Sequence, residues 1–199
     1  MNGQIILIGG GGHCKACIDV IEQAGKYQIA GIVDIPEKMH NQILGYEVVA
    51  TDSDLPKLTN DYENFLITVG QIRSPEKRIH LFKTIKELGA KLPVVVSPLA
   101  YVSRHAAIDE GTIIMHHAIV NANAKIGKNC IINTKSLIEH DAVIGDHCHI
   151  STGAIINGGV EIGRGSFFGS GAVSKESVSI SSCSFVKANT IVQQSEEKK

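Results

Sequence analysis

Apolar side chains in the C-terminal half of the chain recur every six residues. Counting from Val102, fifteen of sixteen such positions out to Val192 are apolar, the exception being Ser174. Four residues after each of the first fifteen, from Ala106 to Thr190, the side chain is small in thirteen cases. An amphipathic helix repeats at about 3.6 residues and a half-buried strand at two, so neither produces this period; a parallel β-helix of hexapeptide repeats does. Three hexads close one triangular coil, so residues eighteen apart stack at the strand spacing of about 4.8 Å. The large residue of each hexad is expected inside the prism and the small one at its tight corner.

The first hundred residues follow another pattern. Gln4–Ile8 is a short apolar run that ends in Gly9-Gly10-Gly11-Gly12-His13, and Cys14–Ala24 then shows helical spacing closed by Gly25. Further strands are predicted over Gln28–Val33, ending at Asp34, and over Phe65–Val69, ending in Gly70-Gln71. Ser74-Pro75-Glu76 opens a helix with apolar Ile79, Phe82, Ile85 and Leu88, and Leu92–Val96 reads as a last strand. Strands alternating with helices imply a parallel sheet. The predicted architecture is therefore an α/β, Rossmann-like domain over 1–98, an all-β parallel β-helix over 99–192 and a charged tail over 193–199.

Composition agrees with this division. The chain has 199 residues, 43% hydrophobic and only 5% aromatic, and its five Pro (36, 56, 75, 93 and 98) all precede the hexads. A coil whose N–H groups pair with its neighbours has no room for Pro. Residues 1–100 carry 10 basic and 11 acidic side chains and residues 101–199 carry 9 of each, so neither half has the basic bias of a nucleic-acid binder. No apolar run approaches the roughly 18–20 residues of a membrane span, and Ile5–Ile8 is too short for a signal peptide. With Cys130 and Cys148 at the small hexad position, the five Cys fit a reduced, cytoplasmic protein.

Three groups of residues carry candidate chemistry. Backbone N–H groups of the Gly9–Gly12 turn, at a helix N-terminus, suit a phosphate, although Cys14 stands where a dinucleotide fingerprint has its third Gly; a tight turn without ligand is the alternative. Asp34, at the end of the second strand, could accept from a ribose or base, or be an ordinary loop carboxylate. On the coil, His140 and Gly158 each follow an interior Ile by two residues and are eighteen apart, on one face of adjacent coils. A base one strand spacing from a backbone N–H unshielded by any Cβ is the minimum kit for acyl transfer, and Asp141 could orient the imidazole. His149 lies half a coil away. If it shares a site with His140, it comes from a neighbouring subunit, which predicts an oligomer. A zinc site at His147-Cys148-His149 is disfavoured because Cys148 points inward, so no metal is expected.

These residues resemble the bacterial sugar acetyltransferases of the NeuD/PglD type, within the left-handed hexapeptide transferases. The likeness rests on the Gly9–His13 turn, Asp34, Gly70 with Arg73 downstream, Asn133-Thr134, Ile138-Glu139-His140-Asp141, Ile144-Gly145, His149 and Gly158. It implies a left-handed β-helix, a trimer with acetyl-CoA bound between adjacent β-helices, and a nucleotide-sugar held by the Rossmann-like domain. His140 would be the general base, with Asp141 as its acidic partner. His149, Gly158, Ser170 and Ala188 would lie along acetyl-CoA, with the Gly158 N–H as oxyanion donor. Gly11, Gly12, His13, Asp34, Gly70 and Asn133 would contact the nucleotide-sugar. Where family members finish in Gly-x-Pro-Ala-Lys, this chain runs from Val186 through Lys187, Ala188 and Asn189 to Val192.

The expected function is acetyl-CoA-dependent N-acetylation of a nucleotide-linked 4-amino-sugar, with UDP the expected nucleotide, by a homotrimer with sites between subunits. O-acetylation of a sialic or nonulosonic acid is the alternative from the same group. A non-catalytic nucleotide-sugar-binding scaffold is the alternative from another class.

Overall fold

The computed structural model describes residues 3–195, so residues 196–199 of the expected charged tail lie outside the described residues. The chain forms two compact units, one running to Gly70 and taking in Lys77–Pro93, the other formed by Gln71–Glu76 and the chain from Val94 onward.

In the first unit, Ile5–Ile8 is buried on both sides, as a central parallel strand must be. Around it the strands β1 (Gly3–Ile8), β2 (Tyr27–Val33), β3 (Gln42–Ile43), β4 (Tyr46–Ala50) and β5 (Asn64–Ile67) are ordered β3-β4-β2-β1-β5. All pairs are parallel except β3 with β4. Helix α1 (Gly12–Ala24) joins β1 to β2, α2 (Leu55–Asp61) joins β4 to β5, and α3 (Glu76–Glu87) follows β5. The β3–β4 hairpin and α2 were not expected. Their local signals are short, the clearest being the Thr51–Asp54 capping box that opens the turn before α2.

Helix α3 buries Phe82 and Ile85 of the predicted stripe and adds Arg78 and Leu81 to it. Arg78 is 1% exposed, and its guanidinium donates to the carbonyls of Ile67 and Val69 at 2.8 Å each, while Ile79 is only half-buried. A buried cation is tolerable because those carbonyls, at the C-terminal end of β5, solvate it in place of water.

The second unit is the left-handed β-helix. Two-residue strands recur every six residues from Tyr101–Val102 to Ile191–Val192, each paired in parallel with the strand eighteen residues on. The second residue of each strand points inward. The interior column on one face runs Ile114, Ile132, Ile150, Phe168, Val186, and the small residues Ala118, Ala124, Cys130, Ala142 and Cys148 fill the corners beside such columns. Each buried Ile or Val contributes about 1.5–3 kcal/mol of apolar transfer energy, so the repeat is itself the core. Ser174, the one polar interior position, is satisfied: its Oγ accepts from Asn157 N–H at 2.9 Å and its carbonyl from Asn157 Nδ2 at 2.6 Å.

One expected strand is reassigned. Val95–Val96 pairs with Ile113–Ile114 and extends a coil face, instead of completing the α/β sheet as the Leu92–Val96 reading had it. Val96 is six residues before Val102 and therefore already in the hexad register.

The coil bends through corner residues in the left-handed backbone region. At one corner these are Asn123 (φ 61°), Asp141 (φ 61°), Gly159 (φ 67°) and Ser177 (φ 55°), eighteen apart.

Candidate active site

At this corner the chain passes from the strand ending at Ile138 through Glu139-His140-Asp141. The positive φ at Asp141 is one that Asp, Asn and Gly tolerate best. Asp141 Oδ2 lies 2.8 Å from His140 Nδ1. An ionised carboxylate can only accept, so Nδ1 carries the proton and Nε2 presents its lone pair. The imidazole is exposed, with 65% of the side chain open to solvent. It nevertheless has a defined seat. A Cβ added to Gly158 on the next coil would meet His140 Cε1 at 2.8 Å and Nε2 at 2.9 Å. The eighteen-residue arithmetic thus holds in space, with the ring of His140 over Gly158.

The hydrogen bond that His140 donates to Asp141 raises the His140 pKa above the ordinary imidazole value, with help from the charges of Asp141 and Glu139 against the opposing effect of desolvation. Asp141 is held below the usual carboxylate range, first by the Asn123 amide and then by His140. Asn123 Nδ2 donates to Asp141 Oδ1 at 2.6 Å, and Asn121 Nδ2 donates to Glu139 Oε2 at 2.9 Å. Neither Asn was among the expected site residues. Both stand eighteen residues before their partners, so the stacking rule could have found them.

His149 belongs to a different sheet of the prism from Ile138 and is buried. Its Nδ1 meets the carbonyl oxygen of Gln71 at 2.5 Å and its Nε2 meets Asn133 Nδ2 at 3.0 Å. A carbonyl only accepts and an amide nitrogen only donates, so Nδ1 is the protonated nitrogen and Nε2 the acceptor. The ring also packs edge-on against Phe167 at 5.2 Å. Gln71, which the hexad count could not reach, donates its side-chain amide to the His147 carbonyl at 2.9 Å. Asn133 Oδ1 accepts from Thr134 N–H at 2.8 Å. Cys148 lies inside the coil, its thiol pushed up to about 12 by burial, and no cluster of three or more metal-ligating side chains occurs among the described residues. Ser170 and Ala188 are exposed on the last coils, where Ser170 Oγ pairs with Ser151 Oγ at 2.9 Å.

The glycine turn divides into two functions. A Cβ on Gly9 (φ 105°) would strike Val69 Cγ2 at 2.5 Å, and one on Gly10 would strike Ile43 and lie 2.7 Å from Asp34 Oδ2, so packing requires both glycines. Gly11 and Gly12 face open space. Gly11 caps α1 without a side-chain hydrogen bond, and the first turn holds no acidic residue. A helix start with neither a capping side chain nor a carboxylate in its first turn suits an anion. His13 stands beside Gly70, whose added Cβ would lie 3.6 Å from the His13 Cβ. Asp34 accepts from Gly10 N–H (2.9 Å), Ile35 N–H (2.8 Å) and Lys38 Nζ (2.8 Å). Burial works to raise its pKa, but Lys38 and the two N–H groups outweigh it and hold the carboxyl below its usual range. The Cys14–Cys17 pair is buried. Burial drives both thiols up, Cys14 to about 11, the opposite of a redox-active thiolate.

Residues 4–85 match the PglD N-terminal domain, and residues 141–173 match the bacterial transferase hexapeptide (six repeats). PerB from Caulobacter crescentus, solved with CoA and GDP-perosamine, is 31% identical with a TM-score of 0.91, over 98% of this chain and 91% of that one. The chain belongs to the PglD/NeuD-type sugar acetyltransferases. The same family likeness extends to a histidine mutant of perosamine N-acetyltransferase from Caulobacter crescentus in complex with CoA and GDP-perosamine. It is 30% identical, with a TM-score of 0.91, over 98% and 90% of the two chains. The acetyltransferase domain of PglB from Neisseria gonorrhoeae is 28% identical, with a TM-score of 0.89, over 98% and 93%. No curated protein matches this PglD-type chain in sequence.

Gly158 is a direct probe of the seat. Gly158→Ala is expected to displace the exposed His140 ring and leave the coil intact. A misplacement of about 1 Å costs on the order of 100-fold, so steady-state kcat should fall by that factor. Scanning calorimetry should show an unchanged midpoint.

Proposed function

We propose that the protein transfers the acetyl group of acetyl-CoA to the amino group of a nucleotide-linked 4-amino-sugar. The observation that carries this reading is the His140 imidazole, protonated at Nδ1 against Asp141 and seated over Gly158. Nε2 takes the proton from the sugar amine as its nitrogen attacks the thioester carbonyl. The Gly158 N–H donates to the oxyanion that forms. When the C–S bond breaks, CoA leaves as the thiolate, and the imidazolium returns the proton to it. The glycine-capped N-terminus of α1 at Gly11-Gly12 suits the diphosphate, with His13 and Gly70 beside it. Relatives bound to CoA and GDP-perosamine support the substrate class. The sequence resemblance points to UDP, and those relatives hold GDP.

A homotrimer with sites between subunits goes with this reading. On one face the outward positions are Tyr101, Ile119, Leu137, Ile155, Val173 and Ile191, apolar throughout, with Tyr101, Ile119 and Ile191 exposed. On the polar face the same register reads Ala107, Lys125, Val143, Glu161, Ser179. An exposed apolar stripe of that length marks a protein interface.

The decisive experiment is acetyl transfer from acetyl-CoA to a panel of UDP-, GDP- and dTDP-4-amino-sugars and sialic acids, with sedimentation of the same preparation. Amide formation on a nucleotide-linked amino sugar by a trimer is the expected result. Ester formation on a sialic acid, or no acetyl-CoA turnover with any acceptor, would overturn it.

A further inference from the structure

The fold stacks a second layer behind the His140–Asp141 pair. Asn123 and Asp141 share a corner one coil apart, with the same left-handed φ of 61°, so their side chains leave the backbone in parallel. The Asn123 amide meets Asp141 Oδ1 at 2.6 Å while Asp141 Oδ2 faces His140 Nδ1 at 2.8 Å. Asn121 and Glu139 repeat the arrangement two residues earlier, and Glu139 Oε2 also accepts the His140 backbone N–H at 3.2 Å. Both carboxylates flanking His140 are thus pinned from the coil before it.

We propose that Asn123 is a positioning residue of the acetyl-transfer site, holding Asp141 so that its free oxygen accepts the hydrogen bond from His140 Nδ1. This inference rests on the reading of His140 as the base. The Asp141 side chain is 55% exposed, and an exposed carboxylate otherwise divides its time among rotamers and water. One amide anchored on a neighbouring coil removes that freedom and fixes which oxygen faces the imidazole. The charged groups acting on His140 are Asp141 and Glu139. The corners before and after, Asn121-Ala122-Asn123 and Asn157-Gly158-Gly159, carry no charge, so a change in His140 titration reports on these two carboxylates.

The bland explanation is that Asn123 only satisfies the left-handed backbone. Asn123→Gly separates the two, because Gly159 holds the same corner one coil beyond Asp141 at φ 67°. In Asn123→Gly, kcat is expected to fall about tenfold or more, as for other misplaced catalytic groups, at an unchanged melting midpoint. The His140 imidazole, followed by NMR, should titrate closer to the ordinary histidine value, and the acidic limb of kcat/KM should move down with it. Adding Asn123→Gly to Asp141→Asn should cost nothing further. Wild-type kcat with an unmoved His140 titration would overturn the inference, as would an undiminished Asn123→Gly effect in the Asp141→Asn background. An inactive His140→Ala beside a wild-type-like Asn123→Gly rejects this inference alone. A fully active His140→Ala rejects the base itself, and this inference with it.

Discussion

His140→Ala is expected to lower kcat by about 100- to 10,000-fold, the range general-base catalysis supplies. The fold should survive, because the ring is exposed and no core contact is removed. In the wild type the acidic limb of kcat/KM should lie above the ordinary imidazole value of about 6.5, since the Asp141 hydrogen bond stabilises the protonated ring. The base works unprotonated. Activity therefore rises as pH passes upward through that raised pKa and is lost as pH falls below it. Steady-state kinetics across pH 5–9 on both proteins checks the two statements together. Turnover undiminished in His140→Ala would remove it from the mechanism.

The largest stability effect is expected at Phe168→Ala. Phe168 is 1% exposed, inside the coil in the column between Ile150 and Val186. Truncating it leaves a cavity that the stacked coils cannot close without breaking their pairing, and such losses cost about 3–5 kcal/mol. Chemical denaturation followed by far-ultraviolet circular dichroism reads this as an earlier transition of the β-helix. A transition within about 1 kcal/mol of wild type, against the usual cost of such a truncation, would mean that the coil repacks. Phe168→Leu should recover most of the loss, because it restores volume at the same interior position.

The coil was legible because its period ties every residue to one of three faces. Val102 and Ile108 state the register, and His140 over Gly158 follows from counting eighteen. The same count run backward from Asp141 reaches Asn123, and one hexad back from Val102 is Val96, so both were readable. Val96 was misplaced because a short apolar run between Pro93 and Pro98 has no periodicity of its own. Other features lay beyond local pattern. The Gln71 carbonyl meets His149 across 78 residues of chain, and no spacing rule relates a connecting segment to a strand. Arg78 reads as a surface cation until the carbonyls of Ile67 and Val69 are in place to receive it. The role of the glycine turn divided for a similar reason. Only the neighbours Val69, Ile43 and Asp34 show that Gly9 and Gly10 are required by packing, whereas Gly11 and Gly12 stay open.

The left-handed corner has a consequence for how such a site arises. A backbone that must adopt positive φ admits Gly, Asn and Asp at least cost. The corner therefore favours, before any selection for catalysis, side chains that are absent, amide or carboxylate, although Ser177 holds it one coil beyond Gly159. Along the column Asn123, Asp141 and Gly159 that short alphabet already spells a donor, an acceptor and a gap. A single substitution between these residues exchanges one for another without remaking the turn. On this architecture, hydrogen-bond ladders can be written or erased one step at a time along the coil axis while the prism beneath them stays the same.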